Sequence, residues 1–432
     1  MSGTEPTRGL AGSWLLTGDA RRGPIAAGAV VLDAGERIVR VGAAARLRRQ
    51  YSKAAWQQHA AVLLPGLVNA HVHLELSALK GRVTGGRGFV PWLRELLAAR
   101  QAVSERERSN AIRAQVRSLS DYGTVAVGEV TNSLAAVPFL AKAPLLGRVF
   151  HEIYGLGSAA ASAALARART QFQDIRDWPA NLSWCLAPHA LYSVPPSTVE
   201  AIVAEARERG VVTSLHLAEH PAERAFLADG AGPFSELMRR QGREQDWLPP
   251  HMGPVQYATE LGALNPGVLA VHLTDASAAE LGSVAKARAP VVLCPRSNLY
   301  IEGRLPNLAA LLRAGVEPGL GSDSLASNTN LDVLAEAATL QGRFPRLSAR
   351  TCIAMATSFG AQALGLGASL GRLARGMRPG VLAIAHGPTP PDDPERFVLT
   401  ELERPRKLLA GPPRRIAAAT AATSKTTTRR RA

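Results

Sequence analysis

Two histidines one residue apart, in Asn69-Ala70-His71-Val72-His73-Leu74-Glu75, follow directly on an apolar run and suit two ligands of one metal ion. Side chains at i and i+2 of a strand share a face, so a strand built from Ala61-Val62-Leu63-Leu64 and Leu67-Val68 would project His71 and His73 together from its carboxyl end. Taken alone, the pair is equally compatible with one packed and one exposed histidine. Three later segments share the form of an apolar β-type run that ends in a titratable group. Val211-Val212-Thr213-Ser214-Leu215 leads into His216-Leu217-Ala218-Glu219, Val268-Leu269-Ala270-Val271 into His272, and the run from Val316 to Ser322 into Asp323. Imidazole and carboxylate are ordinary ligands of zinc and similar divalent ions, and a catalytic site keeps at least one position open for water.

Positioning such groups requires a scaffold that gathers strand ends. Near the N-terminus, short β-type runs at 13–16, 29–32 and 38–41 are punctuated by Gly23-Pro24, Gly28, Gly35 and Gly42, a hairpin pattern that predicts part of a small β domain over residues 1–60. From Ala61 onward apolar runs alternate with helical stretches rich in Ala, Arg and Glu, which argues for a parallel sheet. The candidate strands are 61–70, 124–130, 147–152, 182–188, 211–216, 268–272, 290–294 and 316–321. Eight strands over roughly 260 residues fit a (β/α)8 barrel, assigned to 61–365. The titratable groups then fall at the carboxyl ends of strands one, five, six and eight, which a barrel brings together. Residues 371–385 read again as short β, so 366–404 are expected to complete the small domain, while 405–432 are expected to form a basic disordered tail. The expected fold is α/β: a TIM barrel with a small β-sandwich domain formed from the N- and C-terminal segments.

With 432 residues, 46% of them hydrophobic and 20% charged, the chain can bury a large core. Cys185, Cys294 and Cys352 are too scattered for a disulfide framework, which points to a reducing, cytoplasmic setting. No signal-peptide pattern and no apolar run of membrane-spanning length is present, so no membrane association is expected. The formal charge of +15 comes from arginine spread along the chain, without a recognition pattern for nucleic acid. Only the end concentrates it, in Arg414-Arg415 and Arg429-Arg430-Arg431. The expected partners are a small-molecule substrate and a second copy of the chain in a homodimer, with no specific nucleic acid.

The set Pro65-Gly66-Leu67-Val68-Asn69-Ala70-His71-Val72-His73, His216-Leu217-Ala218-Glu219, His272 and Gly321-Ser322-Asp323 resembles the amidohydrolase superfamily in its nucleobase-deaminase and chlorohydrolase branch. The resemblance covers nearly the whole chain and rests on four separated motifs in order. It implies one divalent metal ion per chain, zinc with iron as the other candidate, held by His71, His73, His216 and Asp323. Binuclear members carry a carboxylated lysine on strand four; no lysine lies near 182–188, which favours a mononuclear site. In the implied chemistry Asp323 ligates and orients the attacking water, His272 holds that water, and Glu219, one turn beyond His216, shuttles its proton to a ring nitrogen and then to the leaving amine.

Other positions carry substrate roles by the same resemblance. His189, in Ala187-Pro188-His189-Ala190-Leu191-Tyr192-Ser193, matches a strand-four motif whose histidine contacts the substrate. Arg296, in Cys294-Pro295-Arg296-Ser297-Asn298, either pairs with a substrate anion or makes a structural salt bridge, and Glu152 either faces the ring or seals the barrel. Glu75 and Ser77 continue the i, i+2 face beyond His73 toward the rim. His59, His220, His251 and His386 have no motif support and take surface or core roles by default. The form His-Val-His-Leu-Glu-Leu-Ser, with Gly88-Phe89-Val90-Pro91-Trp92-Leu93 downstream, looks most like aminodeoxyfutalosine deaminases of menaquinone synthesis, whose substrate is an adenine nucleoside bearing a benzoate. In that reading Glu75 binds ribose hydroxyls and an arginine binds the carboxylate. A chlorohydrolase or aminohydrolase of triazines, or a cyclic-amide hydrolase of the same branch, is the second reading. A non-enzymatic metal-binding protein is the third. Pro379-Gly380 stands where the family usually carries Ala-Asp before the closing β run, a departure that bears on the small domain.

Overall fold

A computed structural model of the chain describes residues 5–243 and 245–416. The first five strands are β1 (Pro6–Leu15), β2 (Ile25–Ala26), β3 (Gly28–Asp33), β4 (Ile38–Ala43) and β5 (Ala55–Pro65). Eight more follow: β6 (Leu67–Val72), β7 (Thr124–Thr131), β8 (Leu146–Ile153), β9 (Leu182–Pro188), β10 (Thr213–Leu217), β11 (Val268–His272), β12 (Val291–Leu293) and β13 (Gly319–Leu320). Strands β14 (Val381–Ala385) and β15 (Arg406–Ala410) come last.

Strands β6 to β9 form one parallel four-stranded sheet and β10 to β13 another, each in sequential order. Their residues are nearly all buried, as expected where helices cover one face and a core fills the other. The crossovers begin at well-made caps: Ser104 Oγ accepts from Glu107 N–H, and Ser277 with Glu280 makes a reciprocal capping box. The two sheets meet at both edges through single parallel bridges, Val72 with Asp323 and Ala190 with His216. Both bridges involve residues at or next to the candidate ligands, so the joins between the sheets are also the places where the chemistry is assembled.

The terminal strands combine in one seven-stranded sheet, in the order β15-β14-β5-β1-β3-β4 with β2 on β1. The run 61–70, read from sequence as one strand, divides between the two parts of the molecule. Residues up to Pro65 belong to β5 of the seven-stranded sheet, and Leu67 starts β6 of the parallel one. Gly66 makes the transition where the chain runs so close to β7 that a Cβ would lie 2.2 Å from Val125 Cγ1. The eighth parallel strand is shorter than the run 316–321 suggests, because Val316 to Pro318 lie outside it and only Gly319 and Leu320 pair with β12.

The tail assigned from residue 405 is also corrected, since Arg406–Ala410 is a strand paired antiparallel with β14. Arg429 to Arg431 lie outside the described residues. Arg406 shows why a charged residue opens that strand: its guanidinium donates to Asp332 Oδ1 at 2.9 Å and Oδ2 at 2.7 Å, with both side chains almost wholly buried. It also donates to the Tyr122 and Leu402 carbonyls, while Asp332 caps the helix Val333–Arg343 through the Leu334 amide. Removing one partner of a buried pair leaves an uncompensated charge, so Arg406→Ala should cost about 3–5 kcal/mol of stability. Arg406→Met combined with Asp332→Asn, which keeps the helix cap, should recover a substantial part of that loss. Chemical denaturation of the three proteins measures both effects.

Candidate metal centre and active site

The β6 segment carries its histidines to the edge of the first sheet and fastens them there. Asn69, wholly buried, donates from Nδ2 to Ser322 Oγ at 2.7 Å and accepts the Ser322 amide at 3.1 Å on Oδ1. The Asp323 amide donates to the His71 carbonyl at 3.1 Å, and the His73 amide to the Asp323 carbonyl at 3.3 Å. Gly321 is required by this approach, because a Cβ there would lie 2.6 Å from His71 Cβ and 2.7 Å from its carbonyl oxygen. Asn69 was missed as a functional residue by motif reasoning, although a buried amide two residues before a ligand is the signal that would have found it.

His71 Nε2 and His73 Nε2 then stand 3.2 Å apart, with Asp323 Oδ1 at 3.9 Å and 3.6 Å from them. Ligands about 2.0–2.2 Å from a tetrahedral ion are roughly 3.3–3.6 Å from one another, so this donor set fits a divalent metal. The opposing nitrogens make the same point chemically, since two imidazole lone pairs face each other across the space an ion would fill. Asp323 Oδ2 is held by the Ser297 hydroxyl and, at 2.9 Å, by the Ser327 hydroxyl, which turns Oδ1 toward the histidines. His216 donates from Nδ1 to the His189 carbonyl at 2.9 Å, leaving Nε2 as its free ring nitrogen. It groups with His71 and His272, and separately with His73 and Glu152, with the candidate ligand atoms of each group within 4.8 Å of one another.

Two further groups face this cluster. His272 Nδ1 accepts from Asn298 Nδ2 at 3.0 Å, which leaves Nε2–H directed at Glu219, 3.6 Å from its Oε1. Glu219 sits in the connection after β10, and its amide donates to Glu223 Oε2 at 2.8 Å. It is therefore not displaced by a helical turn from His216: Ala218 between them adopts a left-handed backbone at φ 48°, and the following helix starts only at Pro221. His272 at φ 77° and Asp323 at φ 55° share that conformation, so three of the strand ends that present the site hold backbone of a kind costing of order 1–3 kcal/mol per residue.

Burial dominates the proton affinities. It lowers those of His71, His189 and His216 and pushes His272 down to about 4, against the opposing pull of Asp323. The rings are thus neutral, the form a metal ligand needs. Burial, followed by the charges of Asp323 and Glu223, holds the Glu219 carboxyl well above the usual carboxylate range, and burial raises Glu223 to about 8.

A cavity of about 770 Å³ opens from the cluster, lined by His73, Glu152, His189, His216, Glu219, His272 and Asp323 on its polar side and by Phe89, Trp92, Leu93, Leu96 and Leu97 on its apolar side. His189 Nδ1 is hydrogen-bonded with the Ser193 hydroxyl at 2.6 Å, and Glu152 Oε1 lies 3.6 Å from His216 Nδ1. The remaining sequence candidates fare differently. The chain leaves the extended conformation after His73 and forms a 3-10 helix over Leu74–Leu79, so the i, i+2 face does not continue. Glu75 still reaches the cavity wall, but its oxygens accept from Thr131, Ser133 and the Asn132 amide, with Arg100 at 3.8 Å. Ser77 is buried and outside the cavity lining. Arg296 is also outside it, bonded to Asn330 and Thr329 and 3.9 Å from the buried Glu336, so the structural salt bridge is the role found. His220, without motif support, proves to be a core residue that caps the helix Pro221–Asp229 and stacks on Phe89 with centroids 3.6 Å apart.

Comparison with known proteins places the chain in a family. The amidohydrolase family model matches residues 62–404. An aminodeoxyfutalosine deaminase of Deinococcus radiodurans is 30% identical over 348 residues, which span 78% of this chain and 81% of the relative. A 5-methylthioadenosine/S-adenosylhomocysteine deaminase of Teredinibacter turnerae is 29% identical over 336 residues, 75% of this chain and 71% of its own. The crystal structure of Helicobacter pylori aminofutalosine deaminase in complex with methylthio-coformycin has the same fold, with a TM-score of 0.80 at 23% identity over 94% of this chain and 97% of that one.

Two measurements test the centre. Metal analysis of the purified protein should find about one divalent ion per chain, and His73→Ala or Asp323→Ala should abolish it. Ser297→Ala, which leaves every ligand in place but frees Asp323 Oδ2 on one side, should weaken metal affinity about 10–100-fold in a chelator competition.

Proposed function

The chain belongs to the amidohydrolase family, and we propose that it is a hydrolytic deaminase of an aminated heterocycle, with an adenine nucleoside of the aminodeoxyfutalosine type as substrate and one zinc ion per chain. The observation that carries this reading is the placement of Glu219. It is a buried carboxyl of raised proton affinity, 3.6 Å from the His272 ring and on the same cavity floor as His73, His216 and Asp323. The names of the relatives favour an adenine nucleoside over other amines. The two parallel sheets, bridged at both edges, support reading the core as a (β/α)8 barrel, with the floor of the cavity at its carboxyl end.

When bound, a divalent ion in this donor set supplies Lewis-acid activation of water at neutral pH. The residues do the rest. Asp323 presents Oδ1 to the attacking water, because the hydroxyls of Ser297 and Ser327 occupy Oδ2. His272 directs Nε2–H at the same region, with its tautomer set by Asn298. Glu219 accepts the water proton and delivers it to the ring nitrogen next to the carbon under attack, then to the departing amine. A carboxyl of elevated proton affinity is suited to both taking and giving a proton near neutrality. The wall of Phe89, Trp92, Leu93 and Leu96 excludes water from the face of the heterocycle and accepts a flat ring.

The reading predicts ammonia release from an adenine nucleoside by the metal-loaded protein. Glu219→Gln should lower kcat about 10²–10⁴-fold while retaining the metal. Assay against aminodeoxyfutalosine, adenosine, S-adenosylhomocysteine, guanine, cytosine and melamine ranks the substrates. Failure to release ammonia from any of them with metal bound would overturn the assignment, and chloride release from a chlorotriazine would replace it.

A further inference from the structure

Behind the cavity floor lies a buried carboxyl that the proton transfer does not use. Glu223 stands on the first turn of the helix Pro221–Asp229, is wholly buried, and is outside the cavity lining, so it touches no substrate. A carboxyl taken out of water is costly unless donors occupy its oxygens. Here both are occupied by the backbone just before the helix: Oε1 accepts from the Ala218 amide at 3.2 Å and Oε2 from the Glu219 amide at 2.8 Å.

The arrangement is a displaced helix cap. His220 is the N-cap residue, and its Nδ1 accepts the Glu223 amide at 3.1 Å. In the usual reciprocal cap the third helical residue reaches back to the amide of the N-cap residue itself, as Glu280 does with Ser277 at 2.8 Å. Glu223 reaches past the cap to the two residues before it, one of which is Glu219. The helix therefore begins by gripping the turn that carries the proton carrier.

That turn requires a grip. Ala218 has left-handed backbone at φ 48°, a conformation that persists only where its surroundings over-determine it. Glu223 holds its amide, and its carbonyl accepts the Asp275 amide at 2.7 Å. Asp275 is fixed in turn by Arg224, whose Nε donates to its carboxylate at 2.9 Å and whose Nη2 donates to its carbonyl at 2.9 Å. Two consecutive helix residues thus secure the turn from both sides. The Leu273 amide, next to His272, donates to the Leu217 carbonyl at 3.1 Å, which ties together the strand ends that carry His272 and Glu219.

We infer that Glu223 is a positioning residue for the reaction: by holding the Ala218 and Glu219 amides it sets the Glu219 carboxyl at its place beside His272. This role rests on the deaminase reading above and adds to it what fixes the proton carrier. Each carboxyl oxygen offers a lone pair to one amide, whereas the NH2 nitrogen of glutamine has none to offer. Glu223→Gln therefore keeps the shape of the side chain and loses one of the two bonds.

The test measures ammonia release by the metal-loaded full chain from whichever of aminodeoxyfutalosine, adenosine and S-adenosylhomocysteine the wild-type protein turns over fastest. Glu223→Gln should lower kcat about 10–100-fold, with KM and metal content within about twofold of wild type. In a Glu219→Gln background the same change should lower kcat less than about threefold, because its effect passes through the carboxyl already removed. Glu223→Asp, which keeps both oxygens on a shorter arm, should fall between Glu223→Gln and wild type. Phe226→Leu, in the core of the same helix but away from the turn, should lower the thermal midpoint and leave kcat within about twofold. Unchanged kcat in Glu223→Gln overturns the inference, as do equal losses in the two backgrounds or a loss in Phe226→Leu as large as in Glu223→Gln. Hydrogen exchange of the Ala218 and Glu219 amides in the wild-type protein needs no variant to fold: it should be slow, and exchange at the rate of an unstructured peptide overturns the inference as well. Absence of ammonia from the wild-type protein is a distinct failure, which overturns the deaminase reading and with it the role given to Glu223.

Discussion

The structure depends first on the join between β6 and the segment that follows β13. Neither strand is hydrogen-bonded into the other's sheet along its length; they meet at one bridge, reinforced by the two bonds between Asn69 and Ser322 and by the two amide-to-carbonyl bonds linking Asp323 with His71 and His73. Buried polar groups of this kind are costly when unpaired and directional when paired, so the join has one favourable register. That register sets the spacing of His71, His73 and Asp323, and the absence of a side chain at Gly321 is what allows the approach. The second join, where the His216 ring and amide both donate to the His189 carbonyl, places the third histidine by the same means.

Burial then converts geometry into chemistry. Removing the imidazoles from water disfavours their charged forms and leaves neutral nitrogens facing one another, an arrangement that a cation relieves. The same removal from water favours the protonated form of Glu219, with Asp323 and Glu223 adding to the effect. One physical cause, burial, therefore underlies both the neutral form of the histidines and the raised proton affinity of the carboxyl. The left-handed backbone at Ala218, His272 and Asp323 shows that the fold holds conformations these residues would not adopt alone, at the positions where orientation matters.

The residues that did not take their expected roles show how a polar side chain is claimed by the scaffold. Glu75 reaches the cavity, yet four donors and Arg100 occupy its oxygens, and its proton affinity is lowered by those bonds despite burial. It anchors the turn after β7, whose Asn132 in turn holds Glu152. Arg296 is taken by Asn330, Thr329 and Glu336 outside the cavity lining, whereas Arg167 and Arg243, which no motif singled out, line the cavity.

The sequence by itself determined most of the elements and the candidate ligand types. Apolar runs of strand length, helical stretches between them and a titratable group at each critical strand end follow from local periodicity, and a local pattern is legible without knowing its neighbours. For the same reason His71 with His73, His216 with Glu219, His272 and Asp323 could be singled out together as candidates, the six residues falling at four strand ends. Tertiary structure decided what depends on residues far apart in the chain. It divided the run 61–70 at Gly66 because Val125 lies against it, and it made a strand of Arg406–Ala410 because β14 offered an edge and Asp332 a buried partner. It gave Asn69, Ser297, Ser327 and Asn298 their functions, since a hydroxyl or amide shows its purpose only once the atom it bonds is known. Periodicity is a property of neighbours in sequence; hydrogen-bond satisfaction and close approach are properties of neighbours in space.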